Sequence, residues 1–449
     1  MVRYQGIHSF FREVPLLGQH LDRIKYEQST HPLTSFAGLA FLAEVADHLG
    51  VGKLINDIPG LSERHRHYTP ADYALSLILT LAAGGDTLDE VNLLRQDPGL
   101  TRIFGGPLAA PNSVGEFLRR FDRSAVYQLS LVSSFLARHV IERQQLKEVT
   151  LDFDATLIES KKEEARVMYN GQRGYDPLLA WIAEANVWLT GVFRPGNASP
   201  QSHLLPLLKR CERLLAEGTR LRVRSHSAAY QIKILRHCHQ KGHLFTITAD
   251  LDAAVMDVIH HIPEKAWKIV EEGKEVYALA ETVHAPGDNN GADLPAFRLI
   301  VKRTLSGQLE LFKSPLRHHA VITNAPADWS AGKVLDFHNK RGVMEKAIGT
   351  LKNETGLDQL PCGTLLANAA YFQMTLLTYN LLQLFKIVSL PLDWRNFGWK
   401  KIRYRLIGQA ALVVKHARDT IVKLARDYVY FPIFQQARWA VLGLAALSP

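Results

Sequence analysis

Three places in the 449-residue sequence hold residue types that could do chemistry. In Val149-Thr150-Leu151-Asp152-Phe153-Asp154 apolar and polar residues alternate, so Asp152 and Asp154 share one face of a strand. Two carboxylates on a strand that reads as central point to divalent-metal binding; the alternative is an exposed strand. In DFHNKRGVMEKAIGTLKNETGL, residues 336–357, Arg341, Glu345 and Lys352 are spaced four and then seven apart. At about 100° per residue they lie within about 40° of one another on a helix, away from Val343, Ala347 and Leu351. That stripe is either a solvated Arg–Glu pair, worth a few tenths of a kcal/mol, or a carboxylate ligand flanked by two cations that hold phosphates. The third place is residues 221–226, where Leu221, Val223 and Ser225 alternate with Arg222, Arg224 and His226. This strand runs out at His226 and a helix is expected near Ser227. Strand exits are where α/β enzymes place reactive groups, and here the group is an imidazole.

The elements that must position these residues divide the chain. Residues 1–30 read as an extension. Residues 31–145 are helical in pattern: a Thr69-Pro70 entry opens one helix, Gly84-Gly85 closes it, and Asn112 or Ser113 is the expected N-cap of a later one. Short helices with tight turns suit a helix-turn-helix-like DNA-binding region, and equally a generic bundle. Residues 146–385 read as an α/β core, with strands at 147–160, in LAWIAEANVWLTGVFRPGN and in 221–252, and a helix over about 200–218. Within it, 263–330 reads as a β-rich insertion whose first two strands flank the loop HAPGDNNGADLP. From Val334 to about Leu444 the pattern is helical, which makes 386–449 a helical C-terminal region.

A hydrophobic share of 47% against 22% charged residues marks a globular chain rather than a disordered one. The formal net charge of +9 favours a polyanionic partner, most simply nucleic acid; the alternative is a merely basic protein. Three scattered cysteines, Cys211, Cys238 and Cys362, form no CxxC pair, which argues against a disulfide framework or a structural zinc site and suits a reducing cytosol. No apolar signal-peptide run opens the chain. The apolar stretch 365–390 carries Asn368, Gln373, Asn380, Gln383 and Lys386, so a buried core helix is expected there and no membrane partner.

Taken in order, VTLDFDATLIES (149–160), VFRPGNA (192–198), the strand–helix–strand at 221–252, HNKRGVMEKAIGTLKNETGL (338–357) and ANAAYFQMTLLTYNLLQLFK (367–386) resemble a known family. The chain is similar to bacterial insertion-sequence transposases of the DDE type, in the group numbered thirteen-eighty, from about Thr34 to the C-terminal helices. The resemblance implies a ribonuclease H-like α/β catalytic core, with a β-rich insertion between the second and third carboxylates, and two divalent ions, Mg²⁺ or Mn²⁺. Asp154 matches the first catalytic carboxylate. Glu345 matches the last, inside a Tyr-x2-Arg-x3-Glu-x6-Lys signature kept here as Arg341, Glu345 and Lys352, with His338 at the tyrosine position. Asp154, Glu345 and Asp152 are then the metal carboxylates, and Arg341, Lys352 and His338 the phosphate contacts. The second carboxylate belongs in an Arg-x-Asp-Ser pattern, and this chain reads Arg224-Ser225-His226-Ser227.

Replacing that aspartate removes a negative charge and a hard oxygen ligand. Mg²⁺ wants oxygen in near-octahedral geometry, while a neutral imidazole suits transition metals. Three readings follow. The chain has kept its fold and DNA binding without catalysis; it works with His226, favouring Mn²⁺; or a nearby acid, Asp250 or Asp252, substitutes, against the plainer reading of strand-end capping. The expected function is cleavage and strand transfer at terminal inverted repeats, with target DNA as second substrate and a homodimer on DNA through the C-terminal helices. The expected location is the bacterial cytoplasm, at the nucleoid when DNA-bound. The alternatives are a catalytically inactive transposase-derived DNA-binding protein and a metal-dependent nuclease without strand transfer. Further DNA contacts are possible at Tyr169, Arg173 and Tyr175, at Lys302-Arg303, at Arg317-His318-His319 and around Trp399, although Trp394 and Trp399 could equally anchor packing.

Overall fold

The computed structural model describes residues 24–62, 67–272, 275–287, 294–305 and 316–445. Most of the expected N-terminal extension and part of the loop at 284–295 fall outside them. A two-residue strand β1 (Leu33–Thr34) leads into α1 (Leu39–His48), α2 (Val51–Asn56), α3 (Pro70–Ala83), α4 (Val91–Arg95), α5 (Pro98–Phe104), α6 (Pro111–Arg119) and α7 (Arg123–Arg143). Thr69 and Asp72 cap each other's backbone N–H groups at the start of α3, and Pro70 takes the first helical position, where no N–H is needed. Gly84 closes α3 at φ 105°. At α6 the cap differs from expectation: Ala110 is the N-cap and Pro111 begins the helix, so neither Asn112 nor Ser113 caps it.

Strand β2 (Glu148–Ala155) opens the α/β part. The short strands β3 (Ile158–Glu159), β4 (Arg166–Val167) and β5 (Arg173–Tyr175) form a separate small sheet beside it. β6 (Leu178–Ile182) and β7 (Val187–Val192) are a hairpin whose turn carries Asn186 at φ 53°, a conformation asparagine tolerates. Then follow α8 (Leu204–Leu214), β8 (Arg220–Ser225), α9 (Ile232–Lys241), β9 (Leu244–Thr248) and α10 (Ala253–His260). The helix expected at Ser227 starts later. Ser227–Ala229 is a single 3₁₀ turn, and Gln231 is the N-cap of α9.

The β-rich segment does not stand apart from the core. Its strands β10 (Lys268–Glu272), β11 (Glu275–His284), β12 (Phe297–Leu305) and β13 (Leu316–Thr323) extend one nine-stranded sheet of order β10-β11-β12-β13-β9-β8-β2-β6-β7. Only β2–β8 and β8–β9 are parallel; the other pairs, including β13–β9, are antiparallel. The parallel pairs put the ends of β2, β8 and β9 at one edge.

Helices α11 (Ala331–Asn339), α12 (Gly342–Glu354), α13 (Leu365–Ser389), α14 (Leu392–Arg395) and α15 (Trp399–Ile402) follow. The amide of Asn380 on α13 lies in the core, accepting from the Trp188 N–H and donating to the Trp188 and Ser133 carbonyls. This satisfies Asn380, one of the five polar residues that marked 365–390 as a core helix. Among the described residues no helix is long and apolar enough to cross a membrane.

The C-terminal region is not wholly helical. β14 (Ala411–His416) and β15 (Asp419–Leu424) form a hairpin that β1 completes, before α16 (Phe431–Ala445). Its two-residue turn carries φ 55° at Ala417, where glycine or asparagine normally stands, so the usual hairpin signature is missing from the sequence. Trp394 and Trp399 are buried, and the Trp399 indole N–H donates to the Ala82 carbonyl, so both are packing anchors rather than stacking platforms.

Candidate active site

Parallel pairing sets Phe153 of β2 opposite Ser225 of β8, so the next residues, Asp154 and His226, emerge side by side at the sheet edge. The chain breaks direction between α11 and α12 and brings Arg341 and Glu345 over the same edge. The Arg341 guanidinium donates through Nη1 to Asp154 Oδ2 at 2.9 Å and through Nη2 to Glu345 Oε1 at 2.9 Å. Asp154 Oδ1 accepts its own neighbour's N–H, that of Ala155, at 2.9 Å. The Asp154 side chain is 16% exposed and that of Glu345 60%, so one carboxylate lines the floor and the other the rim. About two turns past Glu345, Lys352 donates from Nζ to the Leu157 carbonyl at 2.8 Å and pairs with Asp358 at 3.0 Å, tying α12 to the segment after β2.

His226 heads the 3₁₀ turn, and its Nδ1 accepts the Ala228 N–H at 3.1 Å. A neutral ring that accepts at Nδ1 carries its proton on Nε2. Nε2 is the atom that faces Asp154 Oδ1, at 3.3 Å. To ligate a cation through Nε2 the ring would have to move its proton to Nδ1, against the Ala228 N–H. An aspartate in the same place could cap Ala228 with one oxygen and turn the other to the site. The histidine caps Ala228 through Nδ1 and presents its Nε2 proton toward Asp154.

A buried polar layer lies beneath. Asp152, expected among the metal carboxylates, is fully buried, and both its oxygens are taken by Arg224, at 2.7 Å each. Arg224 also donates to the Phe337 carbonyl at 2.8 Å, so the pair fastens β2 and β8 to the end of α11. Burial pushes the Asp152 carboxyl up to about 6, against the pull of Arg224. His338, expected as a phosphate contact, is likewise placed inside. Its ring nitrogens meet the Thr246 hydroxyl at 3.2 Å and the Thr248 hydroxyl at 3.0 Å, and burial pushes its pKa down to about 3. A neutral, enclosed imidazole of this kind seats α11 on β9 and does not reach a phosphate.

Of the substitute acids, Asp252 caps α10 by accepting the Val255 N–H at 2.9 Å, as strand-end capping requires. Asp250 lines a cavity beside the turn of His226. Arg173 spends its guanidinium on the carbonyls of Glu163 and Ala165, which leaves exposed Tyr169 as the open aromatic of that loop, with Tyr175 buried. Arg303 pairs with Glu264 at 2.5 Å. Sequence reading missed two pairings. Asp176, next to the site, holds buried Arg194 at 2.5 Å, and Glu212 meets His237 at 2.6 Å and His243 at 2.9 Å. Neither has a local signature, because the partners come from different elements. Among the described residues no three His, Cys, Asp or Glu side chains converge as a ready metal cage.

The family model described as Transposase DDE domain group 1 matches residues 19–444. No curated protein matches the chain. Among solved structures, it is similar to the cryo-EM structure of a piggyBac transposase synaptic complex with hairpin DNA, at 11% identity and a TM-score of 0.47, over 84% of this chain and 82% of that one.

Proposed function

The chain belongs to the DDE-domain transposases of group 1, and from that premise we propose that it binds the ends of a mobile DNA element and carries out divalent-metal-dependent strand cleavage and strand transfer there, with His226 limiting the chemistry. The observation that carries the proposal is the Arg341 guanidinium, which bridges Glu345 to Asp154, 187 residues earlier than Arg341 in the chain. Strands β7-β6-β2-β8-β9, an antiparallel meander continued by two parallel strands, support a ribonuclease H-like core. Arg341, Glu345 and Lys352 support the insertion-sequence group thirteen-eighty.

The oxygens of Asp154 and Glu345 suit Mg²⁺ or Mn²⁺, and these two residues would hold it; Asp152, fully paired with Arg224, drops out of the ligand set. The chemistry such ions supply is activation of the attacking oxygen and stabilisation of the leaving one in an in-line displacement at phosphorus. Arg341 fills the gap between the carboxylates. Turned outward, it and Lys352 would hold the phosphates flanking the scissile bond. Residues 31–145 would contribute DNA binding, 146–385 the chemistry, and 386–449 the pairing of two copies on inverted repeats and target DNA in the bacterial cytoplasm.

The protonated Nε2 of His226 favours a second reading, a transposase-derived DNA-binding protein that has lost catalysis. Both readings are tested by one experiment on the full chain, using an end-labelled duplex of the inverted repeat flanking its gene, in Mg²⁺ and in Mn²⁺. The first reading expects a retarded complex and slow Mn²⁺-dependent nicking that Glu345→Ala abolishes. A retarded complex without nicking supports the second, and no complex at all contradicts both.

A further inference from the structure

Strand β2 lies between β8 and β6. On the β8 side His226 emerges beside Asp154; on the β6 side stands Asp176. β6 runs antiparallel to β2, with Asp154 opposite Leu179 and Ala155 opposite Leu178, so the start of β6 meets the end of β2. The Thr156 N–H donates to the Pro177 carbonyl at 3.1 Å, which carries the pairing one residue further and sets Asp176 at the same sheet edge as Asp154. The Asp176 side chain is 9% exposed. Its Oδ2 accepts from Arg194 Nη2 at 2.5 Å, while Oδ1 has no hydrogen bond among the described residues. Arg194 is also fixed by backbone, donating from Nε to the Asp176 carbonyl at 2.8 Å and from Nη1 to the Ser202 carbonyl at 2.9 Å. The guanidinium therefore locks the carboxylate by one oxygen and leaves the other free. Burial raises the Asp176 pKa and Arg194 lowers it; the next charges acting on this carboxyl are those of Asp154, which raises it, and His226, which lowers it.

We propose that Asp176 is the third metal carboxylate of this site, supplying through Oδ1 the anionic oxygen that His226 does not, with Arg194 as its positioning residue. This rests on the transposase reading, and it puts the substitute acid on the opposite flank of β2 from Asp250 and Asp252. Two divalent ions carry four positive charges, and Asp154 and Glu345 offset only two of them. Metal-ligating carboxylates are themselves oriented by hydrogen bonds from fixed donors, and Arg194 is such a donor. As the chain stands, Arg341 fills the gap between Asp154 and Glu345, and among the described residues no ready cage exists. The outward turn of Arg341 that phosphate binding requires would let a cation take its place. Arg194 competes for the Asp176 charge, so the site stays weaker than one with an aspartate at position 226.

Mn²⁺ titration of the full chain without DNA, with free Mn²⁺ read by electron paramagnetic resonance, tests this apart from activity. Asp176→Asn should weaken Mn²⁺ binding about tenfold or more, as Glu345→Ala does, while Asp250→Asn changes it less than about twofold. Adding His226→Asp to Asp176→Asn should bring the affinity back to within about threefold of wild type, because the two positions then act as one coupled ligand; a purely structural loss at Asp176 is not repaired from position 226. Wild-type affinity in Asp176→Asn, with binding lost in Asp154→Asn, overturns the assignment and leaves the transposase reading standing. A loss in Asp176→Asn that His226→Asp does not repair overturns it too. Absence of Mn²⁺ binding in both the wild type and His226→Asp overturns the assignment and the catalytic reading together. Should Asp176→Asn fail to fold, Fe²⁺-directed backbone scission of the wild-type chain with ascorbate and peroxide decides: cuts around Asp154, Asp176 and Glu345 are expected, and cuts around Asp154 and Glu345 alone overturn the assignment.

Discussion

Asp152 and Asp154 stand two residues apart on one face of β2, yet the first is sealed in a layer with Arg224 and His338 while the second faces the rim with Arg341 and Glu345. The pleat gives them the same side of the sheet; depth along the strand separates them. Asp152 lies beneath the end of α11, and Asp154 emerges where the strand does. The lower layer holds the α11–α12 corner against β2, β8 and β9, and the upper one displays charges that the corner has positioned. Stability should therefore live below and chemistry above.

The largest effect should come from the lower layer. Arg224→Met leaves a buried, unpaired carboxylate and should cost about 3–5 kcal/mol in urea unfolding, most of it recovered by adding Asp152→Leu. A loss below about 1 kcal/mol would break the comparison. His338→Phe strands two threonine hydroxyls and should cost about 1–3 kcal/mol. His338 also gives the layer a pH signature. Its folded pKa of about 3 lies below the unfolded value of about 6.5, so the unfolded chain binds the extra proton. Its contribution is complete above pH 6.5 and is lost as pH falls toward 3. His338→Phe should show a shallower loss of stability across that window, and an unchanged slope would place the acid sensitivity elsewhere.

The upper layer should respond in the opposite sense. Arg341→Gln should cost about 1–2 kcal/mol, less than the lower-layer variants, because the Glu345 pair is solvent-accessible and only the half-buried hydrogen bond to Asp154 is of consequence, while abolishing strand cleavage. Glu345→Gln breaks an i,i+4 pair on a half-open helix face and should cost only about 0.2–0.5 kcal/mol, again with loss of cleavage. A thermal-shift series alongside the nicking assay separates the two quantities.

The sequence carried the faces well and the depths poorly. Alternation in 149–154 and the 341–345–352 spacing identified side chains that the fold brings to one sheet edge, because period two and period 3.6 are local properties. Whether Asp152 is covered depends on where α11 lands, 180 residues later, and no local pattern encodes that. His338 misled for the same reason, since its threonine partners belong to β9. The three strands read in 263–330 correspond to β11, β12 and β13, β10 has no such reading in the sequence, and their continuity with the main sheet rests on the β13–β9 pairing, a long-range choice. The hairpin 411–424 was masked by a helical context and by Ala417 in the turn, although Val413, Val414, Ile421 and Val422 are strand formers. The departure at His226 was visible in sequence; its proton position needed the Ala228 N–H.

The most direct test of the account is the rate at which the inverted-repeat duplex is cut in Mg²⁺ by the chain as it stands and by its His226→Asp variant. Supplying an oxygen ligand that still caps Ala228 should raise the rate by about 10²-fold or more, about 2.7 kcal/mol of barrier, with DNA affinity unchanged. A histidine form that cuts as fast as the aspartate variant, through a reaction that Glu345→Ala still abolishes, would contradict the claim that His226 limits this site.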